Sequence, residues 1–378
     1  MLSLLTFTDM FGYAIVVPVL PFAAQHFGAG TLTVGAIFAS YSLCQLVSAP
    51  VLGAMSDRYG RRLFLLISQS GSVIGFVIMA LAGSVWPLFL SRIIDGLTAG
   101  NISIIWASVL DHYQRPAWGR RFANLTTATG LGILLGLLTS SLVARYGLAV
   151  VAWVAVTLIL LNMVITLRAF PERSATRASP PGRHGLAELL GHPGNAGARR
   201  VVGAGLLSTI DQSAFLLALP LFLGQLLHFQ AQASAITITV LFALAAAFQV
   251  LLLGAVVTRL GDRRTAVLGF ALMILGGSGL AAARTLGPVL VAGTLVMWGI
   301  VLLNPSISAL LGTSNRTLDD GAIMGVNQSM ASAGQLLGPL VGYAALALFS
   351  TRGFGIVCAL LAVAGLALTS RIRLGDAV

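Results

Sequence analysis

Gly53-Ala54-Met55-Ser56-Asp57-Arg58-Tyr59-Gly60-Arg61-Arg62 stands between two long apolar stretches, and its skeleton returns 201 positions later as Gly254…Thr258-Arg259-Leu260-Gly261-Asp262-Arg263-Arg264. Both copies are short, basic and hinged on glycine. Matching turns in two halves point to a duplicated chain that crosses a membrane repeatedly. The crossings read as helices, because the flanking Gly- and Leu-rich runs lack the strict alternation of barrel strands.

Composition points the same way. Of 378 residues, 57% are hydrophobic and only 9% charged, with mean hydropathy +0.94; soluble domains carry about a quarter charged residues. A helix spans a bilayer with about 20 apolar residues. The pattern predicts twelve spans, at 4–27, 32–55, 63–83, 86–109, 120–144, 147–168, 200–227, 232–258, 264–283, 286–310, 320–349 and 351–371. Residues 169–198, with Pro180-Pro181-Gly182, read as a flexible connector between six-helix bundles at 1–168 and 199–378. Within it, Gly185–Leu190 has the composition of a short surface helix.

Further marks of duplication recur at shifts of 201 or 202. Asp9, Pro18 and His26-Phe27 match Asp211, Pro220 and His228-Phe229. Pro87 matches Pro288, and Gly132 and Gly136 match Gly334 and Gly338.

All 22 basic residues are Arg. Arg92 falls inside a span, Arg145, Arg284 and Arg352 share one face, and the other eighteen lie on the opposite face. That asymmetry is the positive-inside pattern, so both termini are expected in the cytoplasm of a bacterial-type inner membrane. The same placement argues against nucleic acid as the partner of the +11 net charge. Asp9 and two prolines in the first span do not suit a signal peptide, so that span is expected to be retained. Cys44 and Cys358 sit in apolar runs, where a disulfide framework is not expected.

The 53–62 loop resembles the signature of the major facilitator superfamily, the loop joining its second and third helices. The resemblance implies an all-α membrane protein of twelve transmembrane helices in two pseudo-symmetric bundles. It also implies a substrate site between the halves near mid-membrane, and rocker-switch alternating access. Two further stretches narrow it. Ser91-Arg92-Ile93-Ile94-Asp95-Gly96-Leu97-Thr98-Ala99-Gly100-Asn101 resembles the Arg-x-x-x-Gly motif of drug/proton antiporters, with Asp95 where that motif often has Gln. Asp9-x-x-Gly12…Pro18-x-x-Pro21 is similar to the first helix of tetracycline-type exporters. The implied role of Arg92 is to assist proton transfer.

Residue chemistry allows more than one use for these charges. Arg92 and Asp95, at i and i+3, share a helix face. A lone charge at mid-bilayer costs about 3 kcal/mol or more, so the two form either a neutralised structural pair or a pair coupled to transport. Asp9 and Asp211 are candidates for binding and releasing a proton. Alternatively they hold hydrated structural positions, or serve as counter-charges for a cationic substrate.

Gly53, Asp57, Arg58, Gly60, Arg61 and Arg62 read as a cytoplasmic gate, against the plainer role of anchoring to anionic lipid. Asp111 is a candidate partner for Arg61 or Arg62. By resemblance, Asp57 approaches the amino end of span 11, where the helix dipole favours negative charge; Thr258 replaces the acid in the second copy. Gly130, Gly132 and Gly136, and Gly334, Gly338 and Pro339, allow close helix contact or bending. The fifth span departs from the antiporter pattern, with Leu137 after Gly136 and Ser140-Ser141 for a glycine pair.

Tyr13, Gln45, Asn101, Gln212, Asn304 and Asn327 are cavity candidates, each also explicable as an interhelical hydrogen bond. No phosphate loop, metal-ligand cluster or catalytic triad appears, so no cofactor and no enzymatic activity are expected. The Asn-x-Ser/Thr triplets at Asn101 and Asn124 fall in or beside spans and do not imply glycosylation. The expected function is proton-exchanged efflux of a small amphipathic compound by a monomer. A metabolite transporter for a sugar, siderophore or lipid and a non-transporting receptor are the alternatives.

Overall fold

The computed structural model describes residues 1–112, 115–170, 196–314 and 320–371. The connector expected at 169–198 therefore falls almost wholly outside the described residues. So do residues 315–319, next to the amino end of span 11.

Among the described residues, eleven helices are long and apolar enough to cross a membrane. The last, Gly325–Ser370, has 46 residues. At 1.5 Å per residue it is about twice as long as the roughly 30 Å hydrocarbon layer. Ser350 breaks it with φ 65° and ψ −171°, so it is two helices meeting at a kink, and the candidate crossings among the described residues number twelve. The hydrogen-bonded elements are α1 (Leu2–Val16), α2 (Leu20–His26), α3 (Thr31–Tyr59), α4 (Arg61–Ala80), α5 (Val85–Leu97), α6 (Asn101–His112), α7 (Arg115–Val143) and α8 (Leu148–Ala169). They continue with α9 (Ala196–Leu227), α10 (Ala231–Leu251), α11 (Leu253–Leu260), α12 (Asp262–Ala282), α13 (Leu286–Ser314) and α14 (Asp320–Ser370).

Three expected spans are interrupted rather than continuous. Span 1 divides into α1 and α2 around Pro18, which lacks the N–H that a helix interior requires. Span 4 divides into α5 and α6 at Thr98–Gly100, and span 8 into α10 and α11 at Leu252. The turn at Gly60 has φ 105° and its counterpart Gly261 has φ 74°. A side chain in that left-handed region is strained, which is why both basic loops are built on glycine.

The chain forms two compact units, one of Met1–Ser179 with Phe229–Thr239 and one of Pro180–His228 with Val240–Val378. In the first, α1 packs on α7 and α8, and α5 lies against α3 and α4. Its core at one end gathers Leu5, Phe64, Leu65, Ile104, Val109 and Leu125. In the second, α9 and α12 pack on α14, and α12 also packs on α13. Outward faces carry bare hydrophobics such as Val47, Leu142, Val250 and Leu348, suited to lipid tails.

Each unit repeats the other's close helix contacts. A Cβ on Gly132 would lie 2.5 Å from the Phe7 carbonyl oxygen, and on Gly136 2.7 Å from that of Phe11. In the second unit, Gly334 is equally tight against Thr209, and a Cβ on Gly338 would lie 2.8 Å from the Ile210 oxygen. Gly75 approaches the Ser91 oxygen as Gly276 approaches that of Ala292, 201 positions on. Only the absence of a side chain permits these approaches, and they recur because the units are copies.

Candidate functional site

The charged centre of the first unit is built around the interruption of span 4. Asp95 lies in the last turn of α5. Its Oδ2 meets Arg92 Nη1 at 3.2 Å, and its Oδ1 accepts a hydrogen bond from Ser72 Oγ of α4 at 2.7 Å. The two side chains are only 5% and 10% exposed. The Arg92 guanidinium also lies over the Phe76 ring at 5.1 Å and the Tyr41 ring at 5.7 Å, cation–π contacts that offset part of its desolvation. Arg92 Nη2 has no hydrogen-bond partner.

Asp9 of α1 sits on the other side of the interruption. Its Oδ1 accepts from Asn101 Nδ2 at 2.7 Å, and Asn101 is the first residue of α6. A carboxylate beside a helix amino end is electrostatically favoured. Asp9 and Asp95 act on one another and on Tyr41 electrostatically, so the two acids share one polar region of the unit. Tyr13 and Tyr41 pack with ring centroids 6.4 Å apart, and Gln45 donates to the Tyr41 hydroxyl at 3.4 Å. Asn101 Oδ1 is buried without a partner.

The basic loop forms a second centre. Arg61 Nε donates to Asp111 Oδ2 at 2.6 Å, and Nη1 donates to Ser56 Oγ at 3.0 Å. Nη1 also pairs with Asp57 Oδ1 at 2.5 Å, as an ion pair lacking hydrogen-bond alignment. Arg62 Nη2 donates to the Leu167 carbonyl at the end of α8. Arg58 is exposed and lies over Tyr59. Gly53 has open space where a side chain would sit.

The second unit is not a chemical copy. Asp211 of α9 occupies the register of Asp9, is 1% exposed, and neither carboxylate oxygen finds a hydrogen bond of normal geometry. The Cys358 thiol, a weak donor, lies beside it. Gly293 and Val296 stand at the positions of Arg92 and Asp95, and Leu241 and Phe215 approach Gly293 where the first unit holds a guanidinium. Gln212 is half-buried, and the Asn304 side chain is exposed. Asn327 Nδ2 donates to Ser308 Oγ at 3.1 Å.

Several polar residues of the first unit escaped the sequence reading. Ser72 holds Asp95, and Ser48 Oγ donates to the Gly96 carbonyl at 2.7 Å. Gln69 Nε2 donates to Thr166 Oγ1 at 2.9 Å. Serine in a membrane helix commonly bonds its own backbone, so nothing local in the sequence separates these from Ser103 or Thr139, which do just that.

The family model described as Major Facilitator Superfamily matches residues 2–200 and 201–376. The chain is 25% identical over 357 residues to the class B tetracycline resistance protein of Escherichia coli, covering 89% of this chain and 85% of that one. To the class G tetracycline resistance protein of Vibrio anguillarum it is 27% identical over 361 residues, covering 89% and 87%. Among solved structures, the nucleoside transporter NupG superposes with TM-score 0.76 at 15% identity, covering 98% and 97%.

Proposed function

The chain belongs to the major facilitator superfamily, and from that premise we propose that it exports small amphipathic, drug-like compounds in exchange for protons. The observation that carries this reading is the pair of acids inside one unit, the buried Asp95 held by Arg92 and Ser72 and the half-buried Asp9 held by Asn101. Its similarity to tetracycline resistance proteins over 89% of its length supports efflux as the direction. The driving force is adequate: one charge moving down about 150 mV releases about 3.5 kcal/mol. At about 1.4 kcal/mol per tenfold, that sustains a gradient of a few hundredfold.

In this reading Asp9, Arg92, Asp95 and Asp211 exchange protons or meet the substrate, and the 53–62 loop with Asp111 closes the cytoplasmic side. The bundles are 1–168 and 199–378, the eighteen-arginine face is cytoplasmic, and the working unit is a monomer. A second reading, metabolite transport without proton exchange, is favoured by the fifth span. There the buried Leu137 stands where the antiporter pattern has Pro, and Ser140, at the first of its paired glycines, has a buried Oγ without a partner. Proteoliposomes enclosing a pH-sensitive dye decide between the two. Addition of tetracycline or ethidium should move protons through the wild type and leave Asp95→Asn vesicles at background. Compound uptake without proton movement selects the second reading.

A further inference from the structure

We infer that the interruption of span 4 is a latched hinge, that Ser68 of α4 positions it, and that its opening follows the charge on Asp9 and Asp95. The inference rests on the reading of those two acids as proton-exchanging groups.

Ser68 is fully buried, and its one hydroxyl serves both lips of the break. It donates to the Thr98 carbonyl and accepts the Gly100 N–H at 3.2 Å. A continuous helix would pair those backbone groups with residues four positions away; here Gly100 N–H donates to the Thr98 carbonyl at 2.8 Å in a tight turn, and the Ser68 hydroxyl bridges the same two groups. Each lip also leads to an acid. On the α5 side, the Thr98 hydroxyl donates to the carbonyls of Ile94 and Asp95. Ser72, one turn along α4 from Ser68, holds the Asp95 carboxylate. On the α6 side, Asn101 immediately follows Gly100 and holds Asp9. The hinge is thus tied at three places: by Ser68 in the middle and by a carboxylate acceptor at each end.

The second unit supplies the internal control. At the register of Ser68 and Thr98 it has Gly269 and Gly299, where a Cβ on Gly299 would lie 2.6 Å from the Gly269 oxygen. There α13 runs unbroken through the crossing from Leu286 to Ser314. Val296 and Leu302 stand at the positions of Asp95 and Asn101. Break, serine and span-4 acid occur together in one copy and are all missing from the other. Simple close packing at this crossing therefore needs none of them.

Charge sets the direction. Hydrogen bonds to a carboxylate are about twice as strong as those to a neutral acceptor. Neutralising Asp9 and Asp95 weakens both end ties and leaves the hinge to Ser68 and the Gly100–Thr98 turn bond. The ionisable groups around the two acids are Tyr41 of α3 and Arg92 of α5, with Tyr13 of α1 against Tyr41, while Cys44 of α3 lies against Gly96. Those of α4, α7 and α8 are arginines near helix ends, Arg61, Arg62, Arg115, Arg120, Arg121 and Arg168, and α6 has Asp111 and His112 at its far end.

Hydrogen exchange of the segment 96–104 in the full chain, reconstituted in nanodiscs, tests this without a transported compound. After correction for intrinsic exchange chemistry, wild-type protection should fall several-fold from about pH 8 to about pH 5.5. Asp9→Asn and Asp95→Asn at the higher pH should resemble the wild type at the lower one. Ser68→Ala should lose protection about tenfold at both, the factor of one missing hydrogen bond, and flatten the pH response. Ser68→Thr, which keeps the hydroxyl, or the near-isosteric Ser68→Cys should recover part of both. Ser48→Ala, which leaves the Gly96 carbonyl to backbone N–H donors such as that of Ala99, should lower protection slightly while keeping the pH response. Wild-type protection in Ser68→Ala overturns the latch. A Ser68 effect combined with an unaltered pH response in both acid variants overturns the proton-exchange reading and leaves a purely structural latch.

Discussion

Arg92 and Asp95 are the residues whose surroundings say most about them. A buried ion pair contributes little net stability, yet removing one partner strands a charge and costs about 3–5 kcal/mol. Arg92→Ala should therefore unfold at a clearly lower temperature in detergent, and Arg92→Met with Asp95→Leu should recover most of the loss. A double variant as unstable as the single one would mean that the pair itself contributes net stability. Asp211 has the opposite expectation. Its oxygens are buried without normal hydrogen bonds, so Asp211→Asn should melt no lower than wild type. If Asp211 exchanges protons, pH-driven uptake of tetracycline should nevertheless fall to background. Retained pH-driven uptake in both Asp95→Asn and Asp211→Asn would remove these carboxylates from the coupling mechanism.

Between helices, close approach and a basic loop make separate demands. A side chain on Gly75 would press on the Ser91 backbone at 2.9 Å. Gly75→Val should destabilise by about 1–3 kcal/mol through overpacking, whereas Gly53→Ala, with open space around it, should be silent in the same melting assay. Arg61 pairs with two acids that are 29% and 38% exposed, and such pairs contribute about 0.2–1 kcal/mol each. Arg61→Ala should therefore barely move the melting temperature. If the loop is a gate, the same variant should speed maleimide labelling of cysteines placed on the cytoplasmic side of the transport path. Unchanged labelling would reduce the loop to an anchor for anionic lipid. The interruption of span 4 belongs to this scale too: Gly96 and Gly100 are visible in the sequence, but the two serines that hold the break are not.

For the whole molecule, the even number of crossings is the statement most open to direct measurement. With Cys44 and Cys358 replaced by Ser, single cysteines at Ala82 and Arg284 should react with an impermeant maleimide from one side of the membrane. Single cysteines at Arg58 and Arg259 should react from the other. Any mixture of sides within either pair would break the parallel repeat of the halves. That repeat was readable beforehand from paired landmarks 201 or 202 positions apart, and the tight glycine contacts of both units follow it. The chemical asymmetry was only half readable. Asp211 matches Asp9 in the chain, but that one meets the Asn101 amide and the other only the weakly donating Cys358 thiol emerged from packing.

Hydropathy and residue spacing are local quantities, so the sequence alone fixed the solvent, the helical crossings, the duplication and the short list of charged groups inside the membrane. Which polar groups meet is not local: Ser72 reaches Asp95 across 23 positions and Asn101 reaches Asp9 across 92. Those contacts depend on helix rotation and on where a span breaks. Both are set by side chains on neighbouring helices, and only the folded chain brings those together.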